Sequence, residues 1–441
     1  MKNIKYLFFF AAFLLAGACN KNLEIDPLQS VSEELALDSD GNVKLVLQGA
    51  YDNLSRAGLY GGNLFRDAEL LGANGEIRWV GTFSDPRDII NHAMDAGNSN
   101  VEDTWTTAYR TINSCNNVLS ALDVVVADDQ DRVKGEALFI RAACYFELVR
   151  LFGKPYVAGG ANSQLGVPIV LTPTRGITEE SYVGRNTVSE VYQQVLTDLS
   201  EAISVLPEDN GVYANKFAAI GMAARVRLMR GEYADARARA IEVIDNADYA
   251  LLSDYAELWN QEDDTDEAIF SMQVSSLVGA NELVTFFSIP EFGGRDGDIE
   301  IQDSHLALYD ANDARLSLFY DGNGAVRTGK WRNQYRNIPI MRLAEMYLIA
   351  AECDARTTGN GAQYLNPIRQ RAGLSALSQA SLSDVLLERR RELAFEGHKI
   401  HDVKRTGGTV DGLNFDDPKL VFPIPAREMV VNKSLVQNEG Y

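Results

Sequence analysis

From Val133 to Phe152, apolar residues recur at intervals of three and four through Ala137, Ile140, Cys144 and Leu148, and Gly153 and Pro155 follow. A stripe with that period cannot lie along one face of a strand. It dictates an amphipathic helix whose apolar side must be buried against neighbours. A glycine followed by a proline is how such a helix stops. Thr187-Val-Ser-Glu190 is a capping box and opens a second helix, with a stripe through Val191, Val195, Leu199, Ala202 and Leu206 that ends at Pro207. Lys216–Arg230 and Tyr233–Asn246 form a helical hairpin turning at Gly231, and a second pair is expected over Ile340–Arg356 and Tyr364–Ala372. The fold class these segments demand is mainly α.

Long Gly- and Asp-rich stretches, residues 58–100, 155–186 and 275–336, separate the helices. Loops of that length are uncommon in compact domains and often carry function. Strand-like pieces at Glu267–Gln273 and Leu420–Pro423 are too few for a dominant sheet. The run Arg230-Gly-Glu-Tyr-Ala-Asp-Ala236, with Ala240 beyond it, resembles a tetratricopeptide turn, in which small residues let two helices touch closely. No fixed 34-residue period connects the pieces, so the expected architecture is a scaffold of degenerate tetratricopeptide-like hairpins with long irregular loops and a few short strands.

Apolar residues make up 46% of the chain and charged residues 23%, which excludes disorder for its bulk. The formal charge is -21, so the surface disfavours nucleic acid and polyanions, whose binding rests on clustered cations. Met1–Ala18 is read as a removable leader: Lys2 and Lys5 precede the uncharged run Tyr6–Ala18, which spans about 20 Å against a hydrocarbon core of about 30 Å. Ala16, Gly17 and Ala18 leading into Cys19 resemble the lipobox of bacterial lipoproteins, with Ala16 where a leucine is usual and Leu15 one step back. That resemblance implies lipidation of Cys19 and a body, residues 19–441, forming one domain tethered to a membrane by lipid alone. The alternative is an ordinary secretory signal with a free cysteine. Cys115, Cys144 and Cys353 stand in apolar helical settings and are expected to be buried, inert thiols.

The chemistry-bearing motifs are incomplete. Gly324-x4-Gly329-Lys330 opens like a phosphate-binding loop, but Trp331 follows where a Ser or Thr would hold magnesium, so a hairpin loop is the better reading. Glu396-Gly-His398-Lys-Ile-His401-Asp402 lacks the spacing of a metal-binding helix, and its histidines are expected to be structural. The acidic run Glu262–Glu267 and Asp310-Ala-Asn312-Asp313 lack calcium-loop spacing and read as solvated faces or caps. Arg389-Arg390-Arg391, interleaved with Glu388 and Glu392, reads as a solvated, salt-bridged face, and Arg342 with Glu345 as a buried pair on one helix. No metal, cofactor or catalytic residue is assigned.

Several segments together resemble the SusD/RagB family of outer-membrane nutrient-binding lipoproteins. They are Trp105-x3-Tyr109-x2-Ile112-Asn113-x2-Asn116; Gly135-Glu-Ala-x3-Arg141-Ala-x2-Tyr145-Phe; Ile340-Met-Arg342-Leu-Ala-Glu345-Met-Tyr347-Leu-Ile-Ala-Ala-Glu352; Glu388-Arg389-x-Arg391-Glu392-Leu-x-Phe395-Glu396-Gly with Asp402 and Arg405; and Phe422-Pro423-Ile-Pro425-x2-Glu428. The resemblance implies a non-catalytic lipoprotein at the outer face of the outer membrane. It would bind oligosaccharide or polysaccharide and deliver it to a SusC-like TonB-dependent transporter. A peptide ligand, as in the RagB branch, is the alternative within the family; a secreted helical glycoside hydrolase is the alternative of another class.

A sugar needs an apolar face for its C–H side and a few polar groups for its hydroxyls. Two loops offer both. The first holds Asp67, Asn74, Arg78, Trp79 and Phe83; the second, Asn281–Arg295, holds Phe286, Phe287, Phe292 and Arg295. Simple loop packing is the competing explanation for each aromatic. Trp105 and Trp259 are expected in the core.

Overall fold

The computed structural model describes residues 36–441 apart from 247, 277 and 278, so the leader and Cys19 lie outside the described residues. The expected helices are present. Ser99–Ser120 packs on Ala127–Phe152, that helix on Val188–Val205, and that one on Lys216–Arg230, which pairs with Tyr233–Ile244. Tyr233–Ile244 in turn meets Leu343–Thr358, followed by Ala362–Arg371 and Leu382–Glu392. Each helix thus rests on the next in the chain, the arrangement of stacked helical hairpins. Thr187 caps its helix as a box with Glu190, and Gly231 adopts φ of 72°. Among the described residues no helix is long and apolar enough to cross a membrane.

Because the Ala127–Phe152 helix has neighbours on several sides, nearly all of it from Val133 onward is buried, more than a one-sided stripe would be. A single apolar cluster draws residues from Val43 to Leu435, and a smaller one joins Leu348, Leu365, Ile368 and Val385 of the last hairpin. Cys115, Cys144, Cys353, Trp105 and Trp259 are all buried, as expected.

Several expectations need correction. Ile338–Arg342 is a strand, paired antiparallel with Ala268–Met272, and its helix begins only at Leu343. Leu420–Pro423 forms no strand, because Pro418–Leu420 closes a single 3-10 turn. Residues 58–100 are not irregular: they hold the helices Asn63–Leu71 and Ser84–Ile90 and the strand Ile77–Trp79. Arg342 and Glu345 are both buried but not with each other. Arg342 bonds Glu396, Glu267 and Glu392, while Glu345 takes a two-pronged contact from Arg225 at 2.8 and 2.6 Å. Strand-to-helix transition at residue 343 turns their side chains apart. Glu267 is therefore no solvated acid. Nor are Arg389 and Arg391 a solvated face: both are buried, Arg389 on Asp402 and Arg391 on Asp310 and the carbonyl of Leu308.

A four-stranded antiparallel sheet, ordered Ile77–Trp79, Ile299–Ile301, Ala325–Thr328, Phe319–Gly322, brings the first long loop against the third. Its last two strands turn at Asn323-Gly324, both at positive φ (56° and 75°), so the phosphate-loop lookalike is a two-residue hairpin. Lys330 is buried on Glu396.

Candidate ligand-binding face

Strand alternation decides which of the predicted side chains can meet a ligand. Ile77 and Trp79 point to the core side and Arg78 points out. In register, Arg78 stands opposite Glu300, and Arg327 opposite Tyr320, so the outward face of the sheet carries one row: Arg78, Glu300, Arg327, Tyr320. Arg78 Nε donates to Glu300 Oε2 at 2.8 Å, and Arg327 Nη2 lies 3.6 Å from Glu300 Oε1. The Arg78 side chain is 64% exposed. Arg327 is buried under the loop before the second strand and donates from Nη1 to the Ile299 carbonyl at 2.8 Å; that burial lowers its pKa, with Glu300 opposing.

Phe83, four residues beyond Trp79, is 48% exposed. The Arg295 guanidinium sits 4.2 Å from the centre of its ring, held there by Thr82 Oγ1 at 3.0 Å and by Asp298 at 3.3 Å. Burial raises the Asp298 carboxyl pKa, and Arg295 counteracts it. Behind Phe83 stands Phe286, at 6.3 Å and edge-on, and behind Phe286 the buried Arg66 guanidinium at 4.5 Å. Asp67 and Asn63 fix Arg66, at 2.7 and 2.8 Å. A second stack lies at the other end of the row: Arg332 over Tyr320 at 4.1 Å, with Phe292 edge-on to Tyr320 at 5.4 Å.

The two loops nominated from sequence therefore converge, but not with every residue nominated. Phe83 and Arg295 come together as one accessible pair, and Arg78 stands with Glu300 on the outward row of the sheet. Phe292 belongs to the separate Tyr320 stack. Phe287 is fully buried against Phe395, because the helix Glu282–Phe287 turns Phe286 outward and Phe287 inward. Asp67 is buried as the brace of Arg66, and burial raises its pKa despite that partner. Asn74 braces a turn, its side-chain oxygen accepting the Asp411 backbone N–H at 3.0 Å. Trp79 is buried against Phe286, and a Cβ on Gly81 would come within 2.6 Å of its ring, so the chain passes over it as glycine. Glu300, Tyr320 and Arg332 were not nominated. Only a cross-strand register could have pointed to Glu300, as the partner of Arg78.

Comparison with known proteins agrees with this architecture. Residues 29–228 match a family model described as starch-binding associating with outer membrane, and residues 317–417 match the SusD family. SusD-like protein P25 of Formosa agariphila is 25% identical across 96% of this chain and 97% of its own. The starch-binding protein SusD of Bacteroides thetaiotaomicron is 30% identical over 29% of this chain and 27% of its own. Among solved structures, a SusD superfamily protein from Bacteroides thetaiotaomicron superposes with a TM-score of 0.82 at 26% identity, covering 91% of this chain and 99% of that one. Another, from Bacteroides vulgatus, gives 0.80 at 25% identity over the same shares. With the helical hairpins and the ordered motifs of its helices, the chain is a member of the SusD family.

Proposed function

We propose that this protein binds an oligosaccharide on the face formed by Phe83, Arg295, Arg78 and Glu300, without transforming it. It then passes the ligand to a SusC-like TonB-dependent outer-membrane transporter. The observation that carries this reading is the meeting of two distant loops around one exposed aromatic ring with a cation fixed on its flank. An aromatic plate receives the C–H side of a sugar ring, while Arg78, Glu300 and Thr82 offer donors and acceptors to its hydroxyls. The family description as starch-binding supports a glycan over other ligands. In this reading Cys19 carries the lipid, residues 19–441 act as one unit, and the protein faces the cell exterior.

Native gels containing a panel of neutral and acidic polysaccharides test the proposal on protein beginning after Cys19. Retardation by at least one polymer, weakened about tenfold or more in Phe83→Ala, is the expected result. Binding of a polymer undiminished in Phe83→Ala removes the site. Release of reducing ends would favour the hydrolase reading instead.

A further inference from the structure

Arginines of the sheet and its flanking loops are mostly neutralised in place. Arg78 and Arg327 share Glu300, and Asp298 holds Arg295. Arg332 differs. Its guanidinium lies 4.1 Å from the ring centre of Tyr320 and 4.9 Å from that of Phe292, and it meets no carboxylate among the described residues. No acceptor among the described residues takes a side-chain N–H of Arg332 either. Nε is buried, but the residue as a whole is half-buried, and its two Nη groups are the part left facing solvent.

This cation is held in place by more than the two rings. The Arg332 backbone N–H donates to Asn260 Oδ1 at 2.6 Å. Gly329 leaves room beside the guanidinium, where a Cβ would lie 3.3 Å from Arg332 Cζ. A ligand that fixes a long side chain must overcome its lost rotamer freedom, and here the rings have already imposed that loss. A planar fork with both Nη groups outward matches two oxygens of a carboxylate or of a sulfate ester.

Tyr320 ends the outward row that begins at Arg78. The two stand on the outer strands of the four-stranded sheet. At roughly 4.8 Å between neighbouring strands, about 14 Å separates them, a span for several linked sugar rings and not for one. The charge of -21 on the whole chain opposes a dense polyanion. Salt screens charges beyond about 8 Å at physiological ionic strength, so the contact itself governs a single anionic group resting on Arg332.

On the reading of this face as a glycan-binding one, we infer that the ligand is an oligosaccharide of mostly neutral units carrying an acidic one. The carboxylate or sulfate ester of that unit is bound by the Nη groups of Arg332. Because Arg78, Arg327 and Arg295 already have their counter-charges, the face takes one such group and not a run of them.

Native gels containing starch, xyloglucan, glucuronoxylan or a sparsely sulfated agaran test this on protein beginning after Cys19. Retardation by glucuronoxylan or the agaran is expected. It should weaken at least about tenfold in Arg332→Gln and less in Arg332→Lys, with an unchanged thermal midpoint. Wild-type protein should show the same loss on the retarding polymer once carboxyl reduction or desulfation has removed its anionic group, and the treatment that acts tells uronate from sulfate. Retardation by neutral polymers alone overturns the inference and leaves glycan binding standing. So does an acidic polymer that retards wild type equally after neutralisation, or that retards Arg332→Gln as strongly as wild type. No retardation by any of these polymers overturns the glycan-binding reading together with the inference.

Discussion

Arg295 holds its guanidinium 4.2 Å from the ring centre of Phe83, although the two residues come from loops on opposite sides of the helical scaffold's sequence. Thr82 and Asp298 restrict Arg295 from two directions, so the contact is pre-formed and not left to the ligand. Arg295→Ala should therefore weaken glycan binding by roughly threefold to tenfold, less than Phe83→Ala, by freeing the ring and leaving Asp298 without its cation. Affinity gels or calorimetry on the two variants give the order, and equal losses would argue against a flanking role.

Arg342 should tolerate least. It is 2% exposed and bonds Glu396 through two contacts of 2.8 Å, with Glu267 at 2.7 Å and Glu392 at 3.1 Å. Burial alone would lower its pKa, yet the three carboxylates hold it well above the ordinary value. Arg342→Met removes a cation that all three carboxylates share, leaving Glu396 on Lys330, Glu267 on Arg371 and Glu392 on Arg371 and Arg315, an expected cost of about 3–5 kcal/mol. Urea unfolding measures it; a loss within 1 kcal/mol, by the ordinary scale of surface changes, would contradict the network's role.

Acid should act through His401. This ring is 2% exposed, its Nδ1 has no partner among the described residues, and burial with Arg150 and Lys404 nearby pushes its pKa well below 6.5. The unfolded chain takes up a proton near pH 6.5 while the folded chain does not, so stability falls as pH drops below that value. Relative to His401→Gln, wild type should lose up to about 1.4 kcal/mol per pH unit below 6.5, with parallel curves above it. Denaturant melts of both proteins from pH 8 to 5, spanning the histidine's ordinary value, give the difference directly. A pH-independent difference would mean that the histidine titrates alike in the folded and unfolded chains.

Gly231→Ala should cost about 1–2 kcal/mol or more. The residue turns the central hairpin at φ of 72°, and an added Cβ would lie 2.6 Å from the Ala158 Cβ. The thermal midpoint reports this loss. Gly211→Ala is a control with positive φ (59°) and open space around it, and should fall less.

The long striped helices, the capping box at Thr187 and the hairpin at Gly231 were legible in the chain, because helix period, capping boxes and glycine turns are local rules, whereas the short helices Asn63–Leu71 and Ser84–Ile90 were not. Ordered motifs made the family legible too. The sequence also singled out Phe83, Arg78 and Arg295, since exposed aromatics and cations in long loops stand out locally. Long-range packing sets their contacts: Arg295 meets Phe83, and Arg78 meets Glu300. Strand pairing between Ile77–Trp79 and Ile299–Ile301 sends Arg78 out and Trp79 in, and supplies Glu300 from a distant segment. The partners of Arg342 and Glu345 were equally out of reach of any spacing rule. A buried charge selects whichever opposite charge the packing of distant elements brings within hydrogen-bond distance, and that choice has no period to read.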